Sequence, residues 1–376
     1  MFTRVSFLTV LLPLLLALSC CDREPYYIGF SGQISGNRGE LGVEARDGAI
    51  LAVEKINAAG GVNGRLLELI IRDDQGDPEK ARQVNRELIG MGVLAVIGQI
   101  TSGQTAAVLD MMNQAETVLI SPASTSSRFS GSDDFFFRVV VDSADYGRII
   151  GRYLSRDYDF RKITHIYDLN NETFARTNWD ALYNAYTAEK PLTVEEVPYD
   201  SKTGELIRVS RQLILSDADA VFITAPAIDV AVMAQTFRMV DCCIPIFSSS
   251  WAQTSELLVK GGKAVEGIIM PAGFHPDYPS EEFRLFVRDF EERFNRKTGL
   301  MSHHAYECVM VLARGLESEP ETSNELRLSL KEIRDFQGVT GQIHFDACGD
   351  VRRDIFIAEV VNNEFSIIKI ISPETE

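Results

Sequence analysis

Positive charge is scarce in this sequence. Its 376 residues carry 37 Lys and Arg against 54 Asp and Glu, a formal net charge of -17 and a pI near 4.8. That balance excludes the basic face that nucleic acid requires and a peripheral hold on anionic lipid through basic side chains. Long apolar runs are missing beyond the first twenty residues, so no membrane-spanning helix is expected in the body of the chain. The signatures of catalysis are missing too. There is no GxxxxGKS/T loop, and the glycines of 31–42 are not spaced as GxGxxG. His303, His304 and Glu307 do not form HExxH; the two histidines read as surface or hinge residues near a helix N-terminus. No GxSxG elbow occurs, and neither Ser121 nor Ser249 has an evident base nearby. No catalytic role and no cofactor is therefore expected.

Metal binding is disfavoured on the same grounds. Asp73, Asp74 and Asp77 lack the calcium-loop spacing and its distal glutamate. The six cysteines contain no CxxC pair, so no zinc or other metal site is expected. An exported chain could form disulfides among Cys242, Cys243, Cys308 and Cys348, but spacing does not give connectivity. A bridge between the adjacent Cys242 and Cys243 would be strained.

What is present begins with a leader. Residues 1–20 hold one charge, Arg4, then an apolar stretch over 10–18 interrupted by Pro13, too short to span comfortably. It ends Ala17, Leu18, Ser19, Cys20, which resembles a bacterial lipoprotein cleavage box. Cys20 would become the acylated first residue, with Cys21 as runner-up. The expected location is the periplasm or cell surface, anchored by lipid.

Beyond the leader, 45% apolar composition is enough for more than one core. Short apolar runs at 27–30, 66–71, 94–97 and 118–120 alternate with helical patterns over 45–58, 78–91 and 104–114, which is a doubly wound unit. FFFRVVVD at 135–142 reads as a crossing segment. The alternation then restarts: strands at 162–167, 193–197, 220–224 and 244–248, and helices at 144–156, from about 174, at 205–216 and at 229–240. The chain returns near 270–276. Helices over 281–298 and 305–318 rejoin the first unit, and a third crossing falls near 343–349. The expected fold class is α/β, two doubly wound parallel-sheet lobes joined by a three-segment hinge. Lobe 1 takes 22–141 plus 275–343, and lobe 2 takes 142–274 plus 344–376.

Chemistry concentrates at two hydroxyl-rich turns of the first unit, Thr101–Ser102–Gly103 and 121–125. In a parallel sheet both lie at the carboxyl ends of adjacent strands, where open α/β sheets bind ligands. Helix N-terminal N–H groups and hydroxyl donors together suit one carboxylate. The residues expected to hold it are Ser102, Ala123, Ser124 and Thr125. Across the cleft, the loops after the second unit's strands offer Asp168, Asn170, Asn171 and Glu172; Ala227 and Asp229; and Ser249, Ser250, Trp251 and Gln253.

IGQITSGQT at 97–105, ISPAST at 120–125, AVEKINAAGGVNGRLLELIIRDDQGDPEKA at 52–81 and GVTGQIHFDACGD at 338–350 resemble the branched-chain amino-acid-binding proteins, the type I periplasmic solute-binding proteins. The likeness covers nearly the whole chain after the leader. It implies two lobes closing on a small ligand, most readily an amino acid, which is delivered to an ABC permease and ATPase by a monomer. A sensory role, presenting the closed form to a chemoreceptor or kinase, is the second use the family implies. In the resembled amino-acid binders, lobe 2 supplies a carboxylate to the ligand's ammonium and two tyrosines. Here Trp251 occupies or neighbours the carboxylate position, while Glu172 and Ala227 stand where the tyrosines are expected. The lobe 1 hydroxyls, Ser102 and Thr125, are kept. If Glu172 or Asp229 faces the cleft, an amino acid is accommodated. If neither does, Trp251 points to an aliphatic or aromatic carboxylate without an amine.

Overall fold

A computed structural model describes residues 23–36, 39–214, 217–240 and 242–372. The expected leader and Cys20 lie outside the described residues. Chain order begins β1 (Tyr26–Gly32), α1 (Glu40–Ala58), β2 (Leu67–Asp73), α2 (Pro78–Gly90), β3 (Ala95–Ile97), α3 (Ser102–Gln114), β4 (Val118–Ser121) and β5 (Phe136–Arg138). These strands form one wholly parallel sheet in the order β2-β1-β3-β4-β5. Ile28 pairs with Leu69 on one side and Ala95 on the other, and Tyr26, Ile28 and Phe30 are buried. Each such side chain stabilises the lobe by roughly 1.5–3 kcal/mol relative to exposure. The start of α2 is set locally: Pro78 stands at N1, and the Asp77 carboxylate accepts the Lys80 N–H at 2.9 Å.

The second lobe continues with α4 (Ser143–Asp157), β6 (Lys162–Asp168), α5 (Glu172–Thr187), β7 (Thr193–Tyr199), α6 (Leu206–Ile214), β8 (Ala220–Thr224), α7 (Ala227–Arg238), β9 (Ile246–Ser248), α8 (Ser255–Gly261) and β10 (Ile269–Ala272). The chain then adds α9 (Glu281–Phe294), α10 (Leu300–Leu316) and α11 (Ser323–Lys331) to the first lobe's core. A small antiparallel sheet follows, β11 (Asp335–Gly338), β12 (Gly341–Phe345) and β13 (Val351–Arg352). Last come β14 (Ile355–Val361) and β15 (Glu364–Ile371), which complete the second lobe's sheet in the order β15-β14-β10-β9-β8-β6-β7. That sheet is parallel from β7 to β10, with β14 and β15 added antiparallel at one edge.

Three readings need adjusting. The segment 135–142 is not only a crossing: its first half is β5, paired with β4, and the chain leaves lobe 1 only after Arg138. The turn near 270 begins as β10 inside the second sheet. Helix α10 starts at Leu300, not near 305, because the Ser302 hydroxyl accepts the Gly299 N–H at 3.0 Å and closes the first turn. His303 and His304 therefore sit in a helix buried almost all round and are not surface residues. Cys242, Cys308 and Cys348 carry free thiols.

The crossings are tied by arginines. Buried Arg353 donates to the Val139 carbonyl at 2.9 Å and pairs with Glu307 at 2.8 Å, joining the third crossing to the first and to α10. Arg138 pairs with Asp350 at 2.6 Å. Breaking such a buried pair from one side leaves an uncompensated charge, at a cost of about 3–5 kcal/mol.

Candidate functional site

The carboxyl ends of β3 and β4 bring the two hydroxyl turns together. The Thr101 hydroxyl caps α3 by accepting the Gln104 N–H. The Ser102 hydroxyl accepts the Ser126 N–H at 3.1 Å, binding the two turns to each other. The Ser121 hydroxyl donates to the Gln99 carbonyl at 2.8 Å and accepts the Ala123 and Ser124 N–H groups. Ser124 is fully buried, its hydroxyl shared between the Gln99 carbonyl and the Thr105 hydroxyl. It thus holds the loops together and does not line the cleft. Thr125 differs: its Oγ1 is buried, has no partner among the described residues, and faces a cavity.

That cavity, about 50 Å³, lies deep between the lobes. Ser102, Ala123, Thr125, Thr101, Ser250 and Asn171 supply its polar edge, with Tyr146 and His304. Leu41, Ile100, Phe174, Trp251, Leu300 and Met301 form an apolar wall. The Trp251 indole stands edge-on to Phe174, ring centroids 6.0 Å apart. A wider chamber of about 390 Å³ opens outward, lined by Gln33, Gln75, Gln104, Asn170, Lys202, Ala227 and others. Only the outer chamber reaches the roughly 300–1,000 Å³ of small-molecule sites, so a ligand reaches the inner one when the lobes part, as hinged clefts do.

The lobes are closed on each other. Asn171 Oδ1 accepts the Gly103 N–H at 3.0 Å, at the amino end of α3, and Asn171, Thr101 and Trp251 line both chambers. Ser126 donates to the Thr173 carbonyl at 3.1 Å. One Glu40 oxygen accepts the Ser255 hydroxyl at 2.7 Å and the Glu256 N–H at 3.1 Å, at the start of α8. Lys202 Nζ donates to the Gly76 carbonyl at 3.4 Å.

Of the lobe 2 candidates, Asn170, Asn171, Ala227, Ser250 and Trp251 line the cleft, and Asp168 stands at the wall of its outer chamber. Glu172 does not: its side chain is half exposed and pairs with Arg176 one turn along α5, at 3.4 Å. Neither does Asp229, which is buried inside lobe 2 and accepts the Tyr199 hydroxyl at 2.9 Å. Asp168 is likewise consumed within its lobe, by the Ser201 hydroxyl and by N–H groups of Asn170 and Ser201. Among the described residues no acidic side chain lines the inner cavity. No cluster of three or more potential metal ligands occurs among them, and no helix is long and apolar enough to cross a membrane.

The sequence reading missed several contributors, Ile100, Val140, Tyr146 and Phe174 among them. Leu41, Leu300 and Met301 come from α1 and α10, far from the two turns in sequence. His304 gave a signal: a histidine set among Leu300, Met301, Ala305, Cys308 and Val309 marks a buried polar group. Burial holds both histidines neutral, His303 down to about 4 and His304 well below its ordinary value.

Two lobes, crossings tied by buried arginines and a cleft lined by two hydroxyl turns are the build of a protein that holds a small solute between its lobes. The sequence profile of the periplasmic binding protein family matches residues 25–364, and the chain belongs to that family, on its type I branch. It is 24% identical over 334 residues to the leucine-, isoleucine-, valine-, threonine- and alanine-binding protein of Pseudomonas aeruginosa, covering 86% of this chain and 87% of that one. It is 24% identical to Leu/Ile/Val-binding protein homolog 2 of Brucella abortus, covering 92% of each. Among solved structures, LivJ of Streptococcus pneumoniae in complex with isoleucine superposes with a TM-score of 0.83 at 23% identity, covering 93% of this chain and all of that one. An ABC transporter solute-binding protein of R. palustris in complex with benzoate also gives 0.83, at 16% identity, covering 93% and 98%. The relatives are binding proteins of transporters, and this chain is a solute-binding protein and not an enzyme.

Proposed function

We propose that this chain is an extracytoplasmic lipoprotein, anchored at Cys20, that captures a small carboxylate with an apolar body and no ammonium group and delivers it to an ABC importer. The observation that carries the ligand class is that, among the described residues, no acid lines the inner cavity, the acids Glu40, Asp168 and Glu256 lining the outer chamber instead. Glu172 pairs with Arg176, Asp229 is bonded to Tyr199, and Trp251, which occupies or neighbours the position of the carboxylate in the resembled amino-acid binders, lines the cavity. A desolvated ammonium facing that wall would be costly. The carboxylate end is held by the Ser102 and Thr125 hydroxyls. The two lobes supply the two walls, lobe 1 running on past the expected boundary at 343 through β12 and β13, whose Phe345 and Val351 pack in its core. The benzoate complex of the R. palustris protein supports an amine-free acid on this fold. The names of the P. aeruginosa and B. abortus relatives favour the second reading, an amino acid.

A thermal-shift panel tests this directly, setting leucine beside 4-methylpentanoate and phenylalanine beside 3-phenylpropanoate. A ligand at 100 times its Kd stabilises by about 2.7 kcal/mol. Amine-free acids that shift the unfolding temperature while their amino acids do not support the proposal; the reverse pattern returns the chain to the amino-acid binders. Fractionation of a Cys20→Ser variant tests the anchor: release from membranes is expected.

A further inference from the structure

Two buried polar atoms beside the outer chamber are left over once the clasp between the lobes is accounted for. Glu40 opens α1 on lobe 1, and one of its oxygens is spent: Oε1 accepts the Ser255 hydroxyl at 2.7 Å and the Glu256 N–H at 3.1 Å. The other, Oε2, is buried with no partner among the described residues. Thr254 immediately precedes those two donors on lobe 2. It is 3% exposed, and its Oγ1 is also buried with no partner among the described residues. Both residues line the outer chamber, and the bonds of Glu40 to residues 255 and 256 set its carboxylate next to Thr254. The pair also stands beside the way in. Leu41, which follows Glu40, and Trp251, three residues before Thr254, line both chambers.

A carboxylate accepts hydrogen bonds, and a threonine hydroxyl accepts as well as donates. A buried acceptor left without a donor costs free energy, which a ligand recovers by supplying one. We propose that Glu40 and Thr254 form a second recognition point for the same ligand, one that receives an N–H or O–H donor at the end remote from the carboxylate. The preferred ligands are then carboxylates with an apolar middle and a donor-bearing tail. This far-end site rests on the placement of the ligand's carboxylate in the inner cavity and adds to it. On the amine-free reading the tail ends in a hydroxyl. Because Glu40 belongs to lobe 1 and Thr254 to lobe 2, the pair is complete only when the lobes are closed, so a matching tail favours the closed form.

The test is calorimetric titration of the purified full chain, in mild detergent, with straight-chain acids from pentanoate to octanoate, their ω-hydroxy and ω-amino counterparts, and leucine. At the best length the ω-hydroxy acid is expected to bind at least about tenfold tighter than the plain acid, the worth of a hydrogen bond to a charged group. Glu40→Gln keeps an oxygen for Ser255 and Glu256 and replaces the open acceptor by an N–H2 donor; it is expected to bring the two acids to within about twofold. Thr254→Val, of the same size without the hydroxyl, is expected to lower the ratio as well. A glutamate that only clasps the lobes weakens both acids alike, so a ratio that stays at its wild-type value in Glu40→Gln overturns the proposal. Equal binding of plain and ω-hydroxy acids at every length overturns the far-end site and leaves the carboxylate reading standing. A preference for the ω-amino acid alone, lost in Glu40→Gln, supports the far-end site and overturns the amine-free half of that reading. Binding of leucine with none of the straight-chain acids overturns both. If Glu40→Gln fails to fold, the ratio in Thr254→Val decides.

Discussion

The two walls of the cleft use their polar groups in opposite ways. On lobe 1, Ser121 and Ser124 spend their hydroxyls lashing the two turns together, which leaves Thr125 Oγ1 buried and unpartnered toward the cavity. On lobe 2, every acidic candidate is satisfied inside its own lobe: Asp168 by Ser201, Asp229 by Tyr199, Glu172 by Arg176. What lobe 2 then presents to the inner cavity is the apolar pair Trp251 and Phe174 with the uncharged Asn171 and Ser250. A charged side chain recognises a ligand only where the fold has not already neutralised it, and an acid that its own lobe satisfies is lost to the ligand. In the reading proposed here, lobe 1 reads the carboxylate and lobe 2 reads the body.

Substitutions can break or sharpen that division. The largest effect is expected on lobe 1. Removing Ser102 and Thr125 together, as Ser102→Ala with Thr125→Ala, takes away two charge-assisted bonds of roughly 1.5–3 kcal/mol each. A loss of at least about 100-fold in affinity for 4-methylpentanoate by titration is expected. An unchanged Kd ends the carboxylate assignment. On lobe 2, Trp251→Ala is expected to weaken the same probe by about 2 kcal/mol, as an aromatic anchor does. Trp251→Glu is expected to turn the preference toward leucine, and a panel that still prefers the amine-free acid would show that the wall does not set specificity.

The lobes also differ in what they bury. Glu44, packed beneath Met301 and accepting its N–H at 3.2 Å, is pushed up to about 8 by burial and then by neighbouring Glu40. A carboxyl with a raised folded pKa holds its proton more tightly when folded, so its contribution is full below about 4.5 and falls as pH rises toward 8. Lobe 2 buries His165, which desolvation holds well below 6.5, so its contribution is complete above that pH. Between pH 6.5 and 8 the chain is expected to lose stability at no more than about 1.4 kcal/mol per pH unit. Glu44→Gln should flatten that slope in urea unfolding curves.

Smaller still is the cross-lobe clasp. Asn171→Ala removes the bond to the Gly103 N–H and is expected to cost closure about 1 kcal/mol, read as faster ligand release by stopped flow. Glu172→Gln is the control: an exposed pair contributes less than about 1 kcal/mol, and binding should not move.

Much of this was legible before any coordinates. Asp77–Pro78 marked the start of α2, and the glycines and apolar runs marked the strands, because caps, turns and buried strands are local. The segment 135–142 misled because a buried strand and a buried crossing have the same apolar composition, and only pairing with β4 separates them. Glu172, beside the expected tyrosine position, read as a possible ammonium partner because a sequence does not show that Arg176 lies within reach one turn on and Glu196 beside it.

By itself the sequence determined the alternation of strands and helices and the two hydroxyl turns, since each is written in neighbouring residues. Only the tertiary structure decided which polar groups stay available. Whether Thr125 faces a cavity while Ser124 and Asp229 do not depends on partners brought up from elsewhere in the chain. A hydrogen-bonding group is a recognition group only when folding leaves it unpaired.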